Sequence, residues 1–377
     1  MVIDIRELNP RLAMTLETWR LLDLGPIAPI ETQINYDMIA QGITEGESEN
    51  TLIICWPAKP LVSLGYFQEI EADLDTKFCQ ENGIFYTRRV VGGGGVYLDD
   101  GQMFYQLIGR KDSPTTPKRI DDYYVKFLEA PVQAYRNLGI PAEFKPVNDI
   151  IAKDKKISGN GAGDVGDARI LVGNMIFDFN FDMMVKVLKV PSEKFRDKIA
   201  QSLRERMSTI LLQTGSMPDR TEVKEDLLRL YEETLDIELV TGKFNKWEIQ
   251  RVNELKPKYM SDEWLHWRRG GRLDARTVRI SATTRLGTSN YKAPGGLIRV
   301  TAEEIEGRLN EVIISGDYFM LPMDAISNLE KALIGARTEN GDILERANQA
   351  YSRFNIESPG VTPKDIVTAV KLAFEQK

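Results

Sequence analysis

The sequence predicts an α+β protein of two domains: a mixed, largely antiparallel sheet flanked by helices, then a smaller C-terminal α/β domain. Three observations predict it. Between residues 51 and 108, short apolar runs bounded by Gly or Pro return on themselves through the tight turn Asp99-Asp100-Gly101, an antiparallel arrangement. From about Pro191 to Lys256 the chain is strongly charged and helical. Beyond Asp274 the pattern changes to two strand-like runs followed by three helical ones. A length of 377 residues suits two domains, which we place at 1–255 and 275–377 with a connection at 256–274.

Leu12 to Leu24 alternates apolar and charged residues at helical spacing, and a second helix is expected near Gln33 to Gly42. Thr51–Trp56 and Leu61–Gly65 read as strands, and Asp73–Asn82 as a helix closed by Gly83. Ile84–Val91 is a strand running into four glycines, Gly92 to Gly95. Val96–Leu98 resumes it, and Met103–Ile108 is the returning strand. A helix over Ile120–Leu138 precedes strands at Ala142–Phe144, Ile150–Ala152, Lys156–Ser158 and Ile170–Phe179, with Asp154 in a hairpin turn. Ser192 is placed to cap the charged helical region, with Glu193 in its first turn. Lys256–Asp274 carries aromatics, arginines and paired glycines and reads as the connection, where a hinge would lie. Strands at Leu297–Val300 and Glu311–Gly316 precede helices at Asp324–Leu333, Gly341–Phe354 and Thr362–Glu375.

Composition narrows the function. With 49 basic and 56 acidic residues the chain carries a formal charge of −7, which disfavours nucleic acid as a partner. Two cysteines, Cys55 and Cys79, in no metal-ligand spacing exclude a structural zinc site. The single histidine, His266, sits among Trp264, Trp267, Arg268 and Arg269 with no nucleophile pattern, so chemistry without imidazole is expected. Charged residues throughout the first thirty positions and the absence of any long apolar run lead to an expectation of a cytoplasmic protein without a membrane span.

Four consecutive glycines between strands are costly in backbone entropy and exceed what a turn needs. Close approach of backbone N–H groups to an anionic ligand accounts for them. The run matches neither a P-loop nor a Rossmann fingerprint. Arg88 and Arg89 precede it; on a strand they point to opposite faces, so at most one is expected to share the site. Downstream, Lys156 opens the strand leading to Ser158-Gly159-Asn160-Gly161, where its ammonium can neutralise an anion held by the loop. Asp149 is placed to hold Mg²⁺. Lys153 and Lys155 are expected to be solvated.

Tyr86 to Gly101 resembles the RRxSGGGAVYHDxGN loop of the biotin/lipoate ligase superfamily. Asn148-Asp149 and Lys155-Lys156-Ile157-Ser158-Gly159-Asn160 resemble its ND and KxSG elements, and Ser63 to Gln68 its (I/L)GxxQ segment. Ile313 to Leu321, with Leu329-Glu330 and Leu333-Ile334-Gly335, resembles the accessory domain of lipoate–protein ligases. The resemblance implies the class II biotin/lipoyl-synthetase-like fold. It also implies a two-step reaction in which lipoate or octanoate and ATP give an acyl-adenylate, and the acyl group then passes to a lysine of an acceptor. The acceptor would be an E2 lipoyl domain, a glycine-cleavage H protein or a related carrier, and a monomer is expected to suffice. Cofactor needs would be ATP and Mg²⁺, with no tightly bound prosthetic group.

By that resemblance Lys156, Asp149 and Asn148 are catalytic, with Asp149 acting through Mg²⁺. Arg88, Val91, Gly92, Gly93, Leu64, Gly65 and Tyr66 would bind lipoate. Gly93, Gly94, Gly95, Val96, Lys156 and Gly159 would bind ATP and the adenylate. Val91, Leu98 and Gly95 depart from the family loop, and Leu171-Val172-Gly173-Asn174 lacks the usual HGT element, which bears on acyl selectivity. Three other readings stand beside the ligase: an octanoyl or lipoyl transferase working through an acyl-cysteine, a biotin ligase, and a non-catalytic acyl or nucleotide binder.

Overall fold

The computed structural model describes residues 16–190, 192–268, 278–279, 284–339 and 341–375. Its strands are β1 (Glu17–Ile27), β2 (Thr51–Pro57), β3 (Leu61–Leu64), β4 (Phe85–Arg88), β5 (Val96–Leu98), β6 (Gln102–Arg110), β7 (Ala142–Lys145), β8 (Asp149–Ala152), β9 (Lys155–Val165), β10 (Ala168–Ile176) and β11 (Ile237–Thr241), then β12 (Val278–Arg279), β13 (Thr284–Ala293), β14 (Gly296–Ile305) and β15 (Arg308–Gly316). The main sheet has eight strands in the order β11-β1-β2-β6-β10-β9-β8-β7. β1 runs parallel to β2 and β11, and the other pairings are antiparallel. A small sheet, β4-β3-β5, carries the glycine loop.

Alternation along the strands divides the core into two layers. Leu52, Ile54, Met103, Tyr105, Leu107 and Leu171 face Tyr123, Phe127, Tyr135, Leu227 and Tyr231 on the helices Ile120–Phe127, Glu129–Asn137 and Arg220–Leu235. Ile53, Cys55, Phe104, Ile108 and Ile170 face the other way, toward Ile34, Met38 and Ile39 of helix Glu31–Glu45 and Val252, Leu255 and Tyr259 of helix Lys246–Met260. Burial of this scale makes each layer a main source of stability.

The expected helix over Leu12–Leu24 is corrected: residues 17–27 form β1, and those before 16 lie outside the described residues. Trp19 and Leu21 join one core layer and Leu22 the other, which is strand alternation. The charges at helical spacing have tertiary partners: Arg20 pairs with buried Glu248 at 2.6 Å and Asp23 with Lys224 at 2.5 Å. Helix Asp73–Asn82 is two short pieces, Ile70–Asp73 and Thr76–Glu81, the second capped by the Asp75 carboxylate accepting from Phe78 N–H at 3.0 Å. The strand begun at Lys156 continues to Val165, and β11 and β13 were not anticipated.

The C-terminal sheet is an antiparallel run, β12-β13-β14-β15. Ile298, Val300, Ala302 and Ile314 pack against Ile326, Leu329, Ile343, Ile366 and Val370 of the three helices Ala325–Leu333, Asp342–Arg353 and Pro363–Leu372. Of the expected connection, Lys256–Met260 ends a helix. Trp264 donates through Nε1 to the Arg88 carbonyl at 2.9 Å, and Trp267 through Nε1 to the Tyr66 carbonyl at 2.9 Å. Residues 269–274 lie outside the described residues.

The C-terminal sheet closes onto the glycine-loop region. Phe67 stacks on Tyr318 with centroids 4.9 Å apart, Gly316 N–H donates to the Phe67 carbonyl at 2.9 Å, and Arg299 grips Asp73 at 2.6 and 2.9 Å. Arg268 bonds Glu330 and the Ile314 carbonyl, and Ser315 donates to Glu69. Among the described residues, no helix is long and apolar enough to cross a membrane.

Candidate active site

A cavity of about 480 Å³ opens where the glycine loop, the ends of β8 and β9, and the C-terminal sheet converge. Strand alternation supplies its floor, because Gly159 and Gly161 of β9, Val172 and Asn174 of β10, and Phe104 and Gln106 of β6 share one face of the sheet. Gly93, Gly94, Gly95 and Val96 form one wall, and Lys292, Pro294 to Gly296, Asp317 and Phe319 come from the C-terminal sheet and its flanking loops.

Lys156, Asp149 and Asn148 all line this cavity. The register explains why: Asp149 lies opposite Gly159 across β8–β9, and the bulge between Ile150 and Ile151 brings Lys156 beside them. The Lys156 ammonium sits 2.6 Å from Asp149 Oδ1, with both side chains about one-third exposed. Asn148 and Asn160 lock the ends of the two strands together, each donating its side-chain amide to the other's backbone carbonyl. Asn160 Oδ1 accepts from the Tyr105 hydroxyl at 2.6 Å, and Asn174 Oδ1 accepts from Gly159 N–H at 2.8 Å. The lysine thus stands beside strand ends held by these hydrogen bonds, while its own side chain stays one-third exposed.

The glycine loop is held from behind by Arg89, which donates to the carbonyls of Ser63 at 2.8 Å, Gly92 at 2.7 Å and Gly94 at 2.9 Å. Burial pulls its pKa down to about 10, so it remains charged at neutral pH. Gly93, at φ +91°, donates its N–H to the Tyr318 carbonyl at 3.1 Å, leaving Gly94 and Gly95 as the loop residues facing the cavity without that contact.

The structure places several expected lipoate-binding residues away from this cavity. Arg88 is fully buried, and its guanidinium donates to the carbonyls of Gly65, Tyr66, Gln68, Trp264 and Leu265 at 2.5 to 3.1 Å. Of the pair, only Arg89 lines the cavity. Leu64, Gly65, Tyr66, Val91 and Gly92 do not line the cavity; Leu64 and Val91 are buried in the core beside the loop. Val91 packs against β9, where an added Cβ at Gly163 would meet it at 3.0 Å. Gly65 is required by contact, because a Cβ there would lie 1.7 Å from the Gly93 carbonyl oxygen. Gly65→Ala is therefore expected to displace the loop and lower kcat/KM at least tenfold while costing about 1–3 kcal/mol of stability; steady-state kinetics alongside a melting curve would show it.

Residues not singled out from the sequence also line the cavity: Gln33, Tyr36, Phe104, Gln106 and Lys292. They carry no local motif, and the packing of helix Glu31–Glu45 on the sheet, the pairing of β6 with β10 and the closure of the C-terminal sheet gather them. Lys155 points elsewhere, donating to the Arg204 carbonyl at 3.1 Å. His266 binds Glu71 through Nδ1 at 2.6 Å and does not line the cavity. Cys55 and Cys79 are buried away from it, and burial pushes the Cys79 thiol up to about 11.

Residues 35–232 match the family model described as the lipoyl protein ligase A/B catalytic domain. The chain is 36% identical over 214 residues to lipoate–protein ligase A subunit 1 of Thermoplasma acidophilum, covering 54% of this chain and 79% of that protein. It is 28% identical over 315 residues to the lipoate–protein ligase LplJ of Bacillus subtilis, covering 82% and 89%. It is also 27% identical over 271 residues to the octanoyltransferase LipM of Moorella thermoacetica, covering 67% and 99%. Among solved structures, the bipartite lipoate–protein ligase of T. acidophilum, studied with its E2 lipoyl domain, matches with a TM-score of 0.59 at 29% identity over 68% of this chain and all of that one. Lipoate–protein ligase A bound with ATP matches at 0.56 and 29% over 66% and 98%. The LipL1 structure from P. falciparum matches at 0.62 over 94% and 98%, and at 14% identity it speaks for the fold alone.

Proposed function

Because this chain belongs to the lipoyl protein ligase A/B catalytic-domain family, we propose that it is the ATP-using ligase of that family, activating lipoate or octanoate as an acyl-adenylate and passing the acyl group to a lysine of a lipoyl-accepting protein. One observation carries the choice of ligase: Lys156, Asp149 and the glycine loop share a cavity with no cysteine among its lining residues. A transferase working through an acyl-cysteine needs a thiolate there, whereas adenylation needs no protein nucleophile.

Adenylation joins two anions, so the protein's task is to bring them together and stabilise the charge that builds on the α-phosphate. The Lys156 ammonium and the backbone N–H groups of Gly94 and Gly95 are suited to that. Asn148 holds the β8–β9 ends in register, and Gly159, beside the lysine, lets the ligand approach the backbone. Among the described residues, no group of three or more His, Cys, Asp or Glu could hold a metal. Asp149 therefore fits Mg²⁺ only as a single carboxylate added to a metal carried by the nucleotide's own phosphates. When bound, such an ion would neutralise phosphate charge.

The bipartite T. acidophilum ligase, studied with its E2 lipoyl domain, supports an E2 lipoyl domain or similar carrier as the acceptor; we propose that this chain acts as a monomer. We further propose that residues 1–255 form the catalytic domain and 275–377 the accessory domain. A pyrophosphate-release assay with ATP and lipoate tests the reading. Release dependent on both substrates is expected; its absence, with acyl transfer from a thioester donor instead, would favour the octanoyltransferase reading that the LipM likeness keeps in view.

A further inference from the structure

The far end of the cavity contains a buried acceptor with no donor. Gln106 is 2% exposed and lines the cavity. Its Nε2 donates to the Thr32 carbonyl at 2.8 Å, which fixes the amide orientation, since the reverse would set two oxygens against each other. Its Oε1 has no hydrogen-bond partner among the described residues. The polar neighbours bond to one another instead. Gln33 Oε1 accepts from the Tyr36 hydroxyl at 3.2 Å and from the Ser63 hydroxyl at 2.9 Å, and Gln33 Nε2 donates to Thr32 Oγ1 at 3.0 Å. Val172 pairs with Gln106 across β10–β6 and Phe104 shares its strand face, so its nearest neighbours on the sheet are apolar.

The position is as informative as the chemistry. β8, β9, β10 and β6 are successive strands, so Gln106 stands three interstrand steps from Asp149, about 14 Å at ~4.8 Å per step. One end of the cavity has the ammonium of Lys156; the other, across a medium-chain length, has Gln106 with its unpartnered acceptor beside Phe104 and Val172. An acid lying between them would place its carboxylate at the lysine and its tail end at Gln106. We propose that Gln106 is a specificity-determining residue that reads a hydrogen-bond donor, an S–H or O–H, at the distal end of the acyl chain. The favoured substrate class is then a medium-chain acid ending in a thiol or hydroxyl, such as the dithiol form of lipoate, over a plain alkyl acid. This rests on the acyl-binding reading of the cavity but not on the use of ATP. A methyl-terminated tail would exclude water from Gln106 and strand the acceptor, a cost that discriminates more sharply than a missing methylene.

The test is binding to the full chain by isothermal titration, without nucleotide, of octanoate, 8-hydroxyoctanoate and reduced lipoate kept under reductant. Both donor-bearing acids are expected to bind about tenfold more tightly than octanoate. Gln106→Met, close in volume and without the acceptor, is expected to erase that preference, chiefly by improving octanoate. Octanoate binding as well as or better than the other two, or no acid binding, overturns the proposal, and the wild-type ranking decides even if the variant fails to fold. A variant that weakens ATP while leaving the ranking of acids unchanged also overturns it, by assigning Gln106 to the base. If the ranking holds but no pyrophosphate is released with ATP, the ligase reading fails and this one survives.

Discussion

Lys156→Ala is expected to lower the rates of both adenylate formation and acyl transfer by a factor on the order of 10³, the scale seen when a preorganised stabiliser of developing charge is removed. The fold should survive. The side chain is one-third exposed, and the Lys156 backbone keeps its pairing with Ile151 and its carbonyl's bond from Ser208 N–H at 2.8 Å. Loss of the ammonium also leaves Asp149 as an unopposed carboxylate where an anionic substrate must enter, so the KM for ATP should rise as kcat falls. Lys155→Ala is the control, since that ammonium turns away from the cavity to the Arg204 carbonyl, and near-wild-type rates are expected. Single-turnover assays of the two half-reactions would separate the effects. Near-normal ligation by Lys156→Ala, or a reversed ranking of the two lysines, would contradict the assignment.

Arg88→Met is expected to show the opposite signature, a large loss of stability with little specific effect on substrate binding. The Arg88 guanidinium satisfies five backbone carbonyls drawn from the Gly65–Gln68 turn and from Trp264-Leu265. Removing it strands several buried acceptors at once, which costs about 3–5 kcal/mol. For a domain of this size that corresponds to a fall in Tm of roughly 10 °C. Burial has already pulled the pKa of Arg88 down to about 10, so it remains a cation at neutral pH and methionine cannot replace its donors. Protein that stays folded at low temperature should retain a near-normal KM for lipoate. An unchanged Tm with a KM raised tenfold or more would return Arg88 to a ligand-binding role.

The contrast between these two residues shows how far the sequence was legible. Lys156, Asp149, Asn148 and the glycine loop could be found because each lies in a contiguous run whose residue types are unusual for their position. The antiparallel core could be found because its strands are apolar and bounded by Gly and Pro. Arg88 and Arg89 could not be ranked, since strand alternation separates their faces without telling which face meets the cavity. That was decided by Trp264 and Leu265, 176 residues or more away along the chain. β1 reads as a helix because its charges fall at helical spacing, and the partners of Arg20 and Asp23, Glu248 and Lys224, lie some two hundred residues away. β13, with Thr284, Arg285, Ser289 and Asn290 along it, offers too few apolar residues to announce a strand. Gln106 reads as one polar residue in an apolar strand, and only the register of β6 with β10 shows that it faces a cavity.

The central claim is that acyl groups are activated with ATP before reaching the acceptor. The most direct measurement is the intact mass of a lipoyl-accepting domain after incubation with this protein, Mg²⁺ and lipoate or octanoate, with and without ATP. One acyl group is expected on the domain only when ATP is present. Acylation that proceeds from an acyl thioester without ATP, or no acylation from the free acids with ATP present, would contradict it.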